Sequence, residues 1–194
     1  LLAQRVMGTG AVVGAIVEGK RPLCVEVQAL LIGDKRNVVR RRASGIDARR
    51  LEMLVGVVQS GYEYAIGGRD VYVNVVGGLT VRDTGIDLAV AAAVLSQEMG
   101  VAVDPDAVVA GEVGLRGEVK PAPRMEARLK EARAMGFRRA FVPEGTAPLD
   151  GIEVVEVEWV LDVLRDRWPP GGSREDEDTT RTGGPRSRRA LPPP

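Results

Sequence analysis

The sequence has no histidine. That removes every Ser-His-Asp and Cys-His mechanism and every zinc site with an imidazole ligand. It has one cysteine, Cys24, which excludes an intrachain disulfide and a cysteine-cluster metal site. Cys24 lies in the apolar stretch PLCVEVQALLI and reads as an inert strand position. Aromatic residues are only 4% of the chain, so its core is built from Val, Leu, Ile and Ala, and base stacking is not expected. Neither charge sign is in excess: 27 basic residues face 27 acidic ones. Bulk charge therefore predicts no nucleic-acid binding, which leaves that role to local clusters. Long hydrophobic runs are missing too. Stretches such as LAVAAAVL fall well short of the ~20 residues that cross a bilayer as a helix. No signal peptide is recognisable, and a reducing cytoplasm is the default expectation. The chain starts at Leu1 instead of Met, as expected of a fragment of something longer.

What is present is an alternation of short elements. Residues 11–18 and 23–32 read as strands separated by the breaker-rich turn GKRP. A third strand is expected over 38–43. In GIDARRLEMLVGVVQSG, the residues Ile46, Leu51, Leu54, Val55 and Val58 recur near helical spacing, and Gly61 offers a stop. A strand at 71–78 precedes a helix at 86–100 that is apolar nearly all round, which predicts burial. A strand at 107–115 follows, then an amphipathic helix at 124–136 with Met125, Leu129, Ala132 and Met135 on its apolar face. Strands at 139–143 and 152–157 and a helix at 158–168 complete the pattern. This alternation argues an α/β domain with at least part of the sheet parallel. From Pro169 the composition turns to Pro, Gly and charge, which cannot offset its ordering entropy. The expected organisation is one domain over 1–168 and a disordered tail over 169–194.

Four stretches invite chemistry. GAIVEGKR at 14–21 spells G-x-x-x-x-G-K, but Arg stands where a P-loop needs Ser or Thr, and Pro22 and a strand follow instead of a helix. A hairpin turn explains it. TGID at 84–87 fits a capping box in which Thr84 and Asp87 satisfy each other's backbone N–H groups. A rival reading makes Thr84 a nucleophile with a desolvated lysine base, Lys120 or Lys130. GEVGLRGEVKP at 111–121 reads as a β-hairpin, and Glu112 and Glu118 are the acids that would form a pair if it were a site. Residues 34–50 set Lys35, Arg36, Arg40, Arg41, Arg42, Arg49 and Arg50 against Asp34 and Asp47. They are either a solvated edge strand and loop or a phosphate-binding patch.

Two resemblances bear on these stretches. GEVGLRGEVKPAPRMEARLKEARAMGFRRAFVP, 111–143, resembles the proteolytic domain of the Lon proteases. EGKRPLCVEVQALL at 18–31, DVYVNVVGGLTV at 70–81 and DLAVAAAVLS at 87–96 resemble more closely the C-terminal domain of the bacterial RadA (Sms) DNA-repair family. The likeness runs over about residues 8–168. It implies a ribosomal-protein-S5 domain-2-like α/β fold, which magnesium-chelatase subunits also share. Lon proteases place a serine nucleophile at the start of the helix that here begins near residue 86, and a lysine base in the helix after the hairpin. Ungapped counting puts Gly85 and Arg128 at those positions. Glycine has no nucleophile, and arginine, with a pKa above about 12, is no base. The resemblance thus implies a retired peptidase site and no enzyme activity in this chain.

It further implies a parent that is a DNA-dependent ATPase, with ATP, magnesium and zinc held in preceding domains absent here. This module would scaffold a homo-oligomeric ring, hexameric by analogy, and contact DNA phosphates, with recombinase or replication proteins as further partners and no membrane. Local charge nominates Lys35, Arg36, Arg40, Arg41, Arg42, Arg49 and Arg50 for the DNA contact, then Arg116, Lys120 and Arg124. A Lon-like peptidase and a pure scaffold without DNA contact are the alternatives.

Overall fold

The structure, a computed structural model, describes residues 8–33, 39–62 and 65–165. Strands β1 (Ala11–Glu18) and β2 (Arg21–Gly33) form an antiparallel hairpin, in register from Ala11 opposite Gln28 to Glu18 opposite Arg21. β3 (Arg41–Ser44) leads into α1 (Ala48–Tyr62), whose first turn is held by the Asp47 carboxylate accepting from the Arg50 N–H at 3.1 Å. Leu51, Leu54, Val55 and Val58 recur on one face of α1 and are fully buried. β4 (Arg69–Val75) follows. A short 3-10 turn at Thr84–Ile86 then feeds α2 (Asp87–Met99). Every residue from Asp87 to Ser96 is buried, as the all-round apolar pattern predicts.

The second half adds β5 (Ala107–Val109), β6 (Glu112–Val113), β7 (Val119–Lys120), α3 (Met125–Ala134), β8 (Arg139–Pro143), β9 (Glu153–Val157) and α4 (Asp162–Arg165). Among the described residues the main sheet has seven strands in the order β3-β4-β2-β1-β5-β8-β9, and β6 and β7 pair separately. β2 is antiparallel to both its neighbours, whereas β3–β4, β1–β5, β5–β8 and β8–β9 are parallel. This is an α/β fold with a mostly parallel sheet.

Alternation along the strands divides the core. Val25, Val27, Ala29 and Leu31 of β2 and Val71, Val73 and Val75 of β4 pack in the core that contains α1, α2 and α4. On the other face, Leu129 and Ala132 of α3 pack with Val13, Ala15, Cys24, Val108 and Val142. That second layer covers β1, β5, β8 and the start of β2. It leaves the even-numbered side chains of later β2, with Tyr72, Asn74 and Arg42, on an open face.

Several boundaries differ from expectation. The strand expected at 107–115 is two strands in two sheets. At the break, Gly111 donates to the Gly85 carbonyl and accepts from the Leu88 N–H, both at 3.0 Å, which ties the chain to the start of α2. The helix expected at 158–168 is helical, among the described residues, only at 162–165. The Asp162 carboxylate caps it, accepting from the N–H groups of Glu158 and Trp159 at 3.1 and 2.8 Å. Met135, expected on the buried face of α3, lies past its end and is 43% exposed. The tail expected at 169–194 lies outside the described residues. Among those described, no helix is long and apolar enough to cross a membrane.

Candidate functional site: the start of the buried helix

Gly85 and Arg128, 43 positions apart in sequence by subtraction of their numbers, meet in space. A Cβ built on Gly85 would lie 2.7 Å from Arg128 Nη1, 2.8 Å from Cζ and 2.9 Å from Nη2. The guanidinium thus occupies the space into which any side chain at 85 would project. Arg128 is 1% exposed and well satisfied. Its Nη1 donates to Asp83 Oδ2 at 2.5 Å and to the Ala15 carbonyl at 2.7 Å, Nη2 to Asp83 Oδ1 at 2.8 Å, and Nε to the Pro123 carbonyl at 3.1 Å. Asp83 also accepts from the Val17 N–H at 2.7 Å and the Gly85 N–H at 3.1 Å. Burial works to raise the Asp83 carboxyl, but the bonds from Arg128, Val17 and Gly85 outweigh it and hold it below the usual carboxylate range. One bidentate ion pair therefore joins the approach to α2, strand β1 and helix α3.

Sequence reasoning sees in Asp83 only a charge favourable to the helix dipole and misses its cap and its ion pair, because it places the cap at Thr84. The structure corrects the capping box. Asp83 caps the 3-10 turn, Thr84 Oγ1 donates to Glu112 Oε2 at 3.0 Å, and Asp87 turns away from its own helix end. Asp87 is fully buried and takes both Nε and Nη2 of Arg50, with the Val113 N–H at 3.4 Å. Burial pushes the Asp87 carboxyl up against the pull of Arg50, and the bond to Asp87 raises the Arg50 guanidinium above its ordinary value. Glu112 Oε1 stands 3.9 Å from Arg50 Nη2. The helix start is thus pinned by Arg50 from α1 and by contacts from β6, in place of a self-contained cap.

The remaining candidates separate. Lys120 Nζ lies 3.3 Å from Glu118, Lys130 Nζ lies 2.5 Å from Glu126, and both lysines are more than half exposed. Neither has the desolvation that would make it a base for Thr84. Glu118 accepts from the Arg116 N–H inside its own turn, while Glu112 faces Thr84, so the two glutamates serve different contacts. Cys24 is buried, and burial, helped by Glu131, pushes its thiol up to about 12. GAIVEGKR forms β1 and its turn into β2, so Gly14 sits mid-strand and no phosphate cradle opens onto a helix. An ATP phosphate does not fit there.

The basic residues fall into distinct groups. Arg40 is exposed just before the outer strand β3, Arg42 is exposed on it, and Arg49 is exposed in the first turn of α1. Arg41, on the opposite face of β3, is half-buried, with Nη1 enclosed and without a hydrogen-bond partner. Arg50 is committed to Asp87. Arg116 is exposed at the tip of the β6–β7 hairpin, whose backbone is 4.0 Å from the Cβ position of Gly61 at the far end of α1. That places it roughly 18 Å from the level of Arg49 at 1.5 Å per helical residue. Arg124 donates to the carbonyls of Gly19 and Lys20 at 3.4 and 3.0 Å, from a backbone at φ +60°. Lys35 and Arg36 lie outside the described residues. The structure leaves Arg40, Arg42 and Arg49 exposed on neighbouring parts of the chain, Arg42 on the open sheet face and Arg49 on the helix that covers the other face, and does not join the hairpin residues to them.

The sequence that folds in this way has relatives among known proteins. A family model described as subunit ChlI of Mg-chelatase matches residues 48–146, just over half of the chain, and the chain belongs to that family. More particularly, it is related to a family of DNA-repair proteins. The DNA repair protein RadA of Pseudomonas aeruginosa is 45% identical over 161 residues, covering 80% of this chain and 36% of the relative. That of Aquifex aeolicus is 35% identical over 164 residues, 84% of this chain and 37% of the relative. That of Escherichia coli K12 is 39% identical over 159 residues, 80% of this chain and 35% of the relative. The chain spans about a third of the length of these relatives.

Proposed function

We propose that this chain is the Lon-like C-terminal module of a RadA-type DNA-repair ATPase, in the ribosomal-protein-S5 domain-2-like arrangement. It is non-catalytic, supports assembly of a homo-oligomeric ring and contacts DNA phosphates during the processing of recombination intermediates. ATP, magnesium and zinc belong to other parts of a cytoplasmic parent protein. The observation that carries the non-catalytic reading is the Gly85–Arg128 contact. At the place of a nucleophile there is a guanidinium, itself neutralised by Asp83. A peptidase reading would have only the Thr84 hydroxyl on Glu112, with no desolvated base beside it.

For the DNA contact, Arg40, Arg42 and Arg49 are the exposed basic residues of this stretch. The bland role of arginines on an outer strand is to block edge-to-edge pairing, and the test separates the two. Duplex DNA binding by the chain is measured at two salt concentrations, with molar mass followed in parallel. The expected result is salt-sensitive binding by a ring-sized species, with Arg40, Arg42 and Arg49→Ala flattening the log–log slope by roughly 0.9 for each phosphate no longer neutralised. A ring that ignores DNA would leave a scaffold alone, and casein cleavage that depends on Thr84 would overturn the non-catalytic reading.

A further inference from the structure

The second helical layer stops at the beginning of β2, and beyond it the sheet is open. Three cross-strand rows lie there in register. Tyr72 stands between Arg42 of β3 and Leu30 of β2, Asn74 between Ser44 and Gln28, and Asp70 opposite Ile32. The surface is concave, about 690 Å³, with Leu30 50% exposed on it and Ile32, 45% exposed, two residues further along β2. Exposed apolar side chains clustered on one open sheet face mark a binding surface more often than single ones do.

The chemistry of the face selects its occupant. Its middle row, Leu30, Tyr72 and Arg42, is apolar, aromatic and basic, and the row beside it, Gln28, Asn74 and Ser44, is neutral amide and hydroxyl. The exposed Arg42 lines it, and the exposed Arg40 stands two residues earlier in the chain. Of the nearby carboxylates, Asp70 is turned inward, whereas Glu26 lines one end of the surface. Asp70 is buried and accepts from the Arg40 N–H at 2.7 Å and from the Tyr72 hydroxyl at 3.3 Å, and Glu26 accepts from Gln28 Nε2 at 2.7 Å. A duplex hides its base faces and offers phosphates outward, so an apolar and aromatic row gains nothing from it. An unpaired strand offers both flat base faces and phosphates.

We propose that the open face of β2, β4 and β3 is a platform for single-stranded nucleic acid, on which a base stacks on Tyr72 and the backbone is held by Arg42 and Arg40. Composition argues against stacking because aromatics are few, but position counts for more than number when one ring stands at the centre of an exposed sheet. The inference rests on the DNA-contact reading and specifies the form of nucleic acid and the surface.

The test titrates the full chain with a labelled oligothymidylate and, separately, with a blunt duplex of the same length. Tyr72→Ala is expected to weaken single-strand binding roughly tenfold, a typical loss for one stacked base, and Tyr72→Phe to retain it. Duplex binding should change by less than about twofold in both, because phosphate contacts carry it. Photo-crosslinking of a 5-iodouracil strand, mapped by mass spectrometry, should mark Tyr72 in the unaltered protein, which guards against a variant that merely misfolds. Equal loss on both nucleic acids, or a crosslink elsewhere, overturns the platform. Duplex binding without single-strand binding overturns it and leaves the DNA-contact reading standing, whereas no binding to either defeats both. A molar mass that falls to the monomer on Leu30→Asp would assign the face to a second copy of the chain instead.

Discussion

Arg128 carries a permanent charge into the core, and its neutralisation depends on Asp83. Breaking a buried pair from one side costs about 3–5 kcal/mol because the other charge is left unpaired. Asp83→Asn should show a loss of that order in urea unfolding at neutral pH. The pH dependence has a definite sign. The folded carboxyl titrates below its unfolded value of about 3.9. Its contribution is therefore full above that value and disappears as pH falls through the lower, folded one. The gap between the parent chain and Asp83→Asn should be widest at pH 7 and shrink below about pH 4. A gap that stays constant between pH 7 and pH 3 would show that the pair does not titrate as described. At this scale the sequence is partly legible. The resemblance selects Gly85 and Arg128, and the structure brings them together. The pairing of Arg128 with Asp83 leaves no trace, because an ion pair between residues 45 apart in the chain follows no local period.

At the scale of elements, the strongly periodic segments are readable. α1, α2 and α3 announce themselves by where apolar residues recur, and the β1–β2 hairpin by its turn. The split between β5 and β6 is not readable, because VVAGEV has the same alternation whether or not the chain changes sheets at Gly111. Two further glycines separate backbone strain from packing. Gly100 ends α2 in the left-handed region at φ 68°, with nothing within 4 Å of a built Cβ. Gly45 turns from β3 into α1 at φ 85°, where a Cβ would come 2.7 Å from the Val75 Cβ and 2.8 Å from the Leu79 carbonyl. Gly100→Ala should cost about 1–2 kcal/mol, the left-handed penalty alone. Gly45→Ala adds overpacking of about 1–3 kcal/mol. Thermal melts of the two variants should rank in that order, and equal shifts would mean that the Gly45 turn relaxes freely.

For the whole molecule, alternation of strands and helices indicates the α/β class but not the order of the sheet. Only tertiary pairing decides that β1 lies next to β5 and β2 next to β4. Nor is the open face legible, since HPHP alternation in β2 specifies one buried side without saying what, if anything, covers the other. The last element closes the core. Val160, Val163 and Leu164 are at most 2% exposed, and the Val160 N–H donates to the Gly117 carbonyl at 3.2 Å. Burying three such side chains contributes about 6 kcal/mol at ~2 kcal/mol each, comparable to the 5–15 kcal/mol that keeps a whole domain folded. A chain ending at Glu158 should therefore lose its cooperative thermal transition by circular dichroism, whereas retention of a sharp transition would show that the core closes without them.

The strand order also has a temporal meaning. β3, β4, β2 and β1 are complete once residue 75 has been made, while the other flank of β1 waits for β5 at residue 107. After that, β5 docks on β1, β8 on β5 and β9 on β8, in the order in which a ribosome delivers them. During synthesis the nascent sheet therefore grows in one direction, away from β3, and its growing edge passes from β1 to β5 and then to β8. Each is exposed only until the next strand arrives, and the interval at β1 is the longest stretch in which a half-made chain could pair with a neighbour of its own kind.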